Sequence, residues 1–400
     1  MPCILKKSTK KSPGIIVFTS AELTTGDIAN SRLLQEFLSQ KYKEKKWIFG
    51  CHVQGNVQSY LKKWPEYDWC KFVMSPDSQS SLFANIKSTK IIPLTAMNFS
   101  NKAFSARHQK IYDICVISRA SSIKRMEHTL KTLKKLFLLK PEIRVIFSVP
   151  DPRNFFDKAK NEKLDIFYDF FRPQIYFNTS EMEKIDFIST SQESFGIHPL
   201  SFDTLSYIIG SSKFSFLSSH FEGGPRVFGE SLLSNTPCIY SENLKMNLDF
   251  FDKKNSLSVS DNESLAAKSI YSALNEYDNF EIDIEKTNDR FSEQLNIPKL
   301  LNILIQILKD EGFETVEDDF YLEKLSSRVC SHYRKGNFQF LDFESNKFFN
   351  WFSKIENQTF EPYDEDTFFF NIHPKEESHN QVSLLNKNIK TLVSRLINKI

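Results

Sequence analysis

Residues 218–240 read SSHFEGGPRVFGESLLSNTPCIY. The apolar run Phe214–Ser218 leads in as a strand. His220-Phe221-Glu222-Gly223-Gly224 then forms a loop, and Pro225 suits the first helical position because its missing N–H would be unbonded there anyway. A helix Val227–Leu233 follows. Asn235 tolerates the left-handed conformation that ends it, and Thr236-Pro237 opens the next strand, Cys238–Tyr240. A carboxylate and two glycines therefore stand at the carboxyl end of a strand, against a helix N-terminus. Open α/β sheets bind ligands at such a place, where free N–H groups and the helix dipole receive phosphate. Glu230 lies five residues after Pro225, about 7.5 Å along the helix at 1.5 Å per residue. Glu222 and Glu230 are spaced to hold two hydroxyl-bearing groups with a phosphate bridge between them, the layout of sugar, diphosphate and ribose. Taken alone, two solvated surface carboxylates are the more ordinary reading.

The same rhythm extends in both directions. Gly14–Phe18, Trp47–Val53, Lys71–Met74 and Ile91–Leu94 read as strands, with a helix over Asp27–Glu44 that puts Ile28, Leu33, Leu34, Phe37 and Leu38 on one side. The pattern restarts near residue 111: strands Asp113–Ser118 and Ile143–Val149, and helices Met126–Lys140, Phe202–Ile209, Ser264–Leu274 and Pro298–Lys309. Strands alternating with helices predict parallel βαβ units. After Gly312 the rhythm stops and aromatics become dense. Ser383–Ile400 is amphipathic, with Leu385, Ile389, Leu392, Leu396 and Ile400 on one face. Two readings stay open for it, a helix docked on the protein or one lying on a membrane surface.

Composition narrows the function classes. At roughly 100–200 residues per domain, 400 residues suggest two or three domains. The charges nearly cancel, 52 Lys+Arg against 50 Asp+Glu, which argues against an electrostatic nucleic-acid binder. The basic start MPCILKKSTKKS lacks an apolar signal core, and no run approaches the ~20 apolar residues of a membrane span. Six scattered cysteines without a CxxC, and eight histidines without matching spacing, point to a reducing cytoplasm and against structural zinc. Phenylalanine is abundant at 38. Glycine is scarce at 11, so the placing of Gly223, Gly224 and Gly229 within one short stretch carries weight.

Glu222-Gly223-Gly224…Glu230, with seven residues between the glutamates, resembles the donor-binding motif of family 4, the retaining glycosyltransferases of the GT-B fold. Ser234-Asn235-Thr236-Pro237-Cys238-Ile239 resembles that family's small–Gly–x–Pro–Val–Val continuation. Leu200–Phe216 resembles its preceding helix and strand, and Asp261–Leu274 and Arg290-Phe291-Ser292 its C-terminal pattern. Independently, Arg119 and Lys124 resemble the family's R-x4-K pair, about 100 residues before the glutamates. Two cations at a strand mouth neutralise the charge that develops on a departing nucleoside diphosphate. Their ordinary alternative is a solvated Arg and Lys.

The resemblance implies an α/β fold of two Rossmann-like parallel-sheet domains facing a cleft. The expected boundaries are an abridged acceptor-side domain at 1–100, a donor-binding domain at 101–310, and an extension at 311–400, helical and packing back on the N-terminal domain. It implies transfer of a sugar from a nucleoside-diphosphate sugar to an acceptor hydroxyl with retention and without metal, in surface polysaccharide or glycolipid synthesis. Glu222 would hold the donor sugar, Glu230 the ribose, and Arg119 and Lys124 the diphosphate, with Gly223, Gly224 and Val227 beside the donor. Trp47–Val53 resembles the family strand that ends in an active-site histidine, here His52, which would face the transferred sugar and acceptor; a structural histidine is the alternative. Gly26 either lines the same cleft or simply starts a helix. Two positions depart from the family. Pro225 stands where glycine is common, and we expect Arg226 to compensate with a charged contact to diphosphate or sugar. His198 replaces another common glycine near the nucleobase, so base identity does not carry over. The implied partners are a nucleotide sugar and a glycan or lipid-linked acceptor, with peripheral contact at the inner face of the membrane and no nucleic acid. Two rival readings are a non-catalytic GT-B-like assembly partner and a different chemistry on the same fold, such as epimerisation or phosphorolysis.

Overall fold

A computed structural model of the chain describes residues 3–24, 27–53, 67–75, 89–106, 109–118, 124–150, 175–190, 200–314, 320–323, 325 and 347–357. The chain forms two compact units, 1–348 and 349–400, and both sheets belong to the first.

The first sheet contains β1 (Cys3–Lys6), β2 (Gly14–Thr19), β3 (Trp47–His52), β4 (Cys70–Met74) and β5 (Lys90–Ile92), hydrogen-bonded in the order β1-β2-β3-β4-β5. Only β1 is antiparallel. Every residue of β2 and β3 is buried, as continuous apolar runs require when both faces of a sheet are covered. The second sheet contains β6 (Tyr112–Ile117), β7 (Val145–Pro150), β8 (Ile185–Thr190), β9 (Ser212–Leu217), β10 (Cys238–Ser241) and β11 (Ser256–Val259). It is parallel throughout, in the order β11-β10-β9-β6-β7-β8. From β6 the chain builds outward to β8, then crosses back to β9 and builds outward the other way. That is the doubly wound order, with its reversal between β6 and β9.

The helices are α1 (Ser20–Thr24), α2 (Asp27–Asn30), α3 (Arg32–Lys43), α4 (Met126–Leu139), α5 (Thr179–Met182), α6 (Phe202–Gly210), α7 (Arg226–Leu233), α8 (Glu263–Asn275), α9 (Ile284–Phe291), α10 (Glu293–Asp310) and α11 (Lys347–Glu356). The helix expected over 27–44 is divided at Ser31, whose hydroxyl accepts the N–H of Leu34 and caps a new helix there. Leu33, expected on the apolar face, is exposed, while Leu34 and Leu38 face inward. α4 and α8 cover the second sheet, with Leu130, Leu133 and Leu136 sharing a core with Ala266, Ile270 and Phe147.

α10 covers the first sheet instead. Leu300, Leu304, Ile307 and Leu308, at helical spacing, join Ile15, Val17, Ile48 and Phe72 in its core. The chain thus returns to its N-terminal sheet after completing the second. Leu322 and Leu325 join that core too, and the Tyr321 N–H donates to the Leu5 carbonyl at 2.8 Å. The sheets are stitched together by a 3-10 turn, Ala96–Phe99. The Ser100 N–H donates to the Phe291 carbonyl at 2.8 Å, and Asn296 Nδ2 donates to the Asn98 carbonyl at 3.0 Å. Behind this seam Phe228, Phe250, Phe251 and Phe291 stack edge-on or tilted, which places part of the phenylalanine excess. Among the described residues no helix is long and apolar enough to cross a membrane, and Cys3, Cys51, Cys70, Cys115 and Cys238 are buried.

Candidate functional site

The loops after β6 and β9 leave the second sheet on either side of its strand-order reversal, where adjacent loops diverge and open a crevice. The first delivers Lys124 to the start of α4, and the second delivers Glu222. Their side chains meet as an ion pair, Lys124 Nζ to Glu222 Oε1, both largely withdrawn from solvent. Two charges 98 residues apart in sequence are thereby brought to one point.

Gly223 and Gly224 continue this loop across to the first sheet. Gly224 has φ of 120°, a conformation that favours glycine, and a Cβ there would lie 3.3 Å from Thr95 Oγ1. Pro225 is the capping residue with extended ψ, and α7 begins at Arg226, so Pro225 does not occupy the first helical position expected of it. Arg226 and Val227, in the first turn, are half-buried. Glu230 lies deeper, 6% exposed, and its carboxyl is raised above the ordinary range by burial, with the Arg226 charge one turn earlier pulling the other way. Gly229 lets α7 approach the seam closely, since a Cβ there would stand 3.0 Å from Phe291 Cδ1 and 3.2 Å from the Met97 carbonyl oxygen.

A cleft of about 350 Å³ opens here. Glu222, Gly223 and Gly224 form one wall. Leu94, Thr95, Met97 and Asn98 line the cleft next to that loop, and Lys286, Arg290 and Lys299 approach from α9 and α10. Arg290 is engaged by Asp249 at 2.7 Å and Lys299 by Asp289 at 2.8 Å. Glu230 and Lys124 do not line the cleft; Lys124 reaches it only through Glu222.

His52 ends β3 and is buried, with its Nε2 accepting the Ala96 N–H at 3.3 Å. Burial pulls its pKa down to about 4, so the ring is neutral at pH 7. It does not line the cleft but anchors the start of the turn whose Met97 and Asn98 do. Arg119, His198 and Gly26 lie outside the described residues.

Three residues given no role in the sequence reading bond one another beside the Lys124–Glu222 pair: Arg125, His220 and Asp261. Asp261 follows the carboxyl end of β11, and His220 stands two residues before Glu222. Position at strand ends was the available signal. Burial opposes ionisation of Asp261, but hydrogen bonds from Arg125, His220, Asn243 and Ser241 outweigh it and hold the carboxyl well below the usual carboxylate range.

No family model matches the chain, and no curated protein matches it in sequence. Solved structures do match. The pneumococcal O-GlcNAc transferase GtfA, determined with UDP and GlcNAc, superposes with a TM-score of 0.50 at 14% identity, over 68% of this chain and 55% of that one. Sucrose-phosphate synthase from Thermosynechococcus elongatus gives a TM-score of 0.50 at 12% identity, over 68% of this chain and 72% of that one. The fold is GT-B. The match spans little more than half the length of GtfA. In this GT-B chain, the glycine loop after β9 and the turn after β5 face one cleft.

Proposed function

We propose that the chain is a glycosyltransferase that moves a sugar from a nucleoside-diphosphate sugar to an acceptor hydroxyl. One observation carries this reading. Lys124 and Glu222 meet at the doubly wound sheet's reversal, and Glu222 lines a cleft that residues following the first sheet of this GT-B fold also line. A cation for a departing diphosphate and a carboxylate for sugar hydroxyls are the two charges such a donor needs.

In this reading Lys124, with Arg119, neutralises the diphosphate, and Glu222 exchanges its ion pair with Lys124 for hydroxyls of the donor sugar. Glu230 serves the ribose, and Gly223, Gly224, Arg226 and Val227 present backbone and charge to the phosphates at the start of α7. The anomeric carbon's bond to phosphate breaks as the acceptor oxygen bonds to the same face. The departing phosphate oxygen takes the acceptor's proton, so configuration is retained, and side-chain cations supply the positive charge. The acceptor is a glycan or lipid-linked glycan that enters against Thr95, Met97 and Asn98. His52 acts on this wall from behind, through Ala96. Membership in family 4 and a place in surface polysaccharide or glycolipid assembly belong to the same proposal.

The test is to incubate the protein with UDP-, GDP- and ADP-sugars and a panel of glycan acceptors. The expected outcome is release of nucleoside diphosphate, with an axial or equatorial product linkage by NMR that matches the donor anomer. Release from no donor, or an inverted linkage, would refute the transfer or its stereochemistry respectively.

A further inference from the structure

Arg125 follows Lys124 and precedes the first turn of α4 with φ of 49° and ψ of 47°. This left-handed backbone is disfavoured for any residue with a Cβ. The arginine side chain at this strained position joins three loops. Its Nη1 contacts the His220 imidazole at Nε2, donates to Asp261 Oδ1 at 2.5 Å, and reaches the Ser218 carbonyl at 3.5 Å. Asp261 also accepts from Ser241 Oγ at 2.9 Å on one oxygen, and from Asn243 Nδ2 at 2.6 Å on the other, which stands 2.8 Å from His220 Nε2. Its carboxylate oxygens are therefore occupied by protein donors, which suits a hub better than a ligand-binding group. His220 Nε2 lies between a group that only donates and one that only accepts. It serves one partner at a time: its lone pair accepts from Arg125, or its N–H donates to Asp261.

Lys124 pairs with Glu222, and the next residue, Arg125, pairs with His220 two places before Glu222. The same two segments are thus tied twice, and Ser218 Oγ adds donations to the Lys124 carbonyl at 2.9 Å and the Arg125 carbonyl at 3.1 Å. We infer that Arg125 is a positioning residue that, with His220 and Asp261, fixes loop 218–224 against the start of α4 and so sets the approach of Lys124 to Glu222. The consequence for donor binding rests on the function proposed above; the effect on the loop does not.

The discriminating variant is Arg125→Gly, which relieves the left-handed strain while removing the guanidinium. His220→Gln supplies an amide oxygen to accept from Arg125 and an amide N–H to donate to Asp261, whereas His220→Leu supplies neither. The full-length proteins are compared by thermal unfolding, by amide hydrogen exchange over 218–224, and by calorimetric titration with UDP, GDP and ADP. Arg125→Gly is expected to keep its unfolding midpoint while exchange in 218–224 rises about tenfold or more, through local opening. Its affinity for the nucleotide that the wild type binds should fall about tenfold. His220→Leu should show the same local rise in exchange, and His220→Gln wild-type exchange. Unchanged exchange over 218–224 in both Arg125→Gly and His220→Leu overturns the inference. So does a lowered midpoint with uniformly faster exchange along the chain, which marks a merely structural role. A wild-type protein that binds none of the three nucleotides would count against the proposed function, and the exchange pattern would still decide the positioning role.

Discussion

The two sheets are built from similar βα units but end differently at their carboxyl edges. In the first, parallel strands β2 to β5 are laid down in one direction, so among the described strands there is no reversal at which adjacent loops part. Its edge contributes a short turn and uncharged side chains to the cleft lining, with a buried neutral histidine anchoring the turn from behind. In the second, the order reverses between β6 and β9, and that edge gathers Lys124, Arg125, His220, Glu222 and Asp261. The difference teaches that strand order, more than the presence of parallel strands, decides where a sheet concentrates charge for a ligand. One edge gathers charged side chains, and the other lines the cleft with uncharged ones.

If that division holds, Lys124→Ala should be the most damaging change. Loss of one charge-stabilising group is expected to lower turnover by about 10²–10³ in a steady-state transfer assay, with folding by circular dichroism intact. A loss below about fivefold would erase the distinction between the two edges.

On the first sheet, His52 should matter to stability through its burial. The unfolded chain takes up a proton between its ordinary value of 6.5 and about 4 that the folded chain refuses. Stability is therefore full above pH 6.5 and declines as pH falls toward 4, by roughly 3 kcal/mol in all. Urea unfolding at pH 7.5 and pH 5 should show a smaller difference between the two pH values for His52→Gln than for the wild type. An equal pH dependence in both would mean that His52 is not held neutral.

The seam between the sheets is tested by Gly229→Ala. The added methyl meets the Phe291 ring at 3.0 Å and should cost about 1–3 kcal/mol in denaturant unfolding. Smaller still is the effect at the end of α7. Asn235 holds φ of 54°, and its carbonyl accepts from Lys110 Nζ at 3.0 Å. Asn235→Ala should cost about 1 kcal/mol, while Asn235→Gly should be neutral or slightly stabilising, as read by thermal unfolding.

Much of this architecture was legible because strand, loop and helix punctuate one another. Around residues 218–240, Gly224 at positive φ and Asn235 at the helix end sit where residue type alone places them. The helix boundary at 293 was hidden for a physical reason. Asn296 looks like a surface residue, but its amide donates to the Asn98, Arg290 and Ser292 carbonyls at the seam, so a polar side chain occupies a buried helical position. β1, β8 and β11 are short or outer strands with weak apolar signals. In the site, Lys124 and Glu222 stood out in the sequence through their resemblance to a family's motifs, and their direct pairing did not. Arg125 and Asp261 are 136 residues apart, and only the reversal in strand order brings them together.

The central claim, that the edge of the second sheet receives a nucleoside-diphosphate sugar, is tested most directly by thermal unfolding of wild type and Glu222→Gln across UDP-, GDP- and ADP-sugars. The wild type should be stabilised by at least one donor, with the shift growing with ligand concentration, and Glu222→Gln should lose most of the shift while keeping its ligand-free midpoint near that of the wild type. No shift with any donor, or an equal shift in Glu222→Gln, would contradict it.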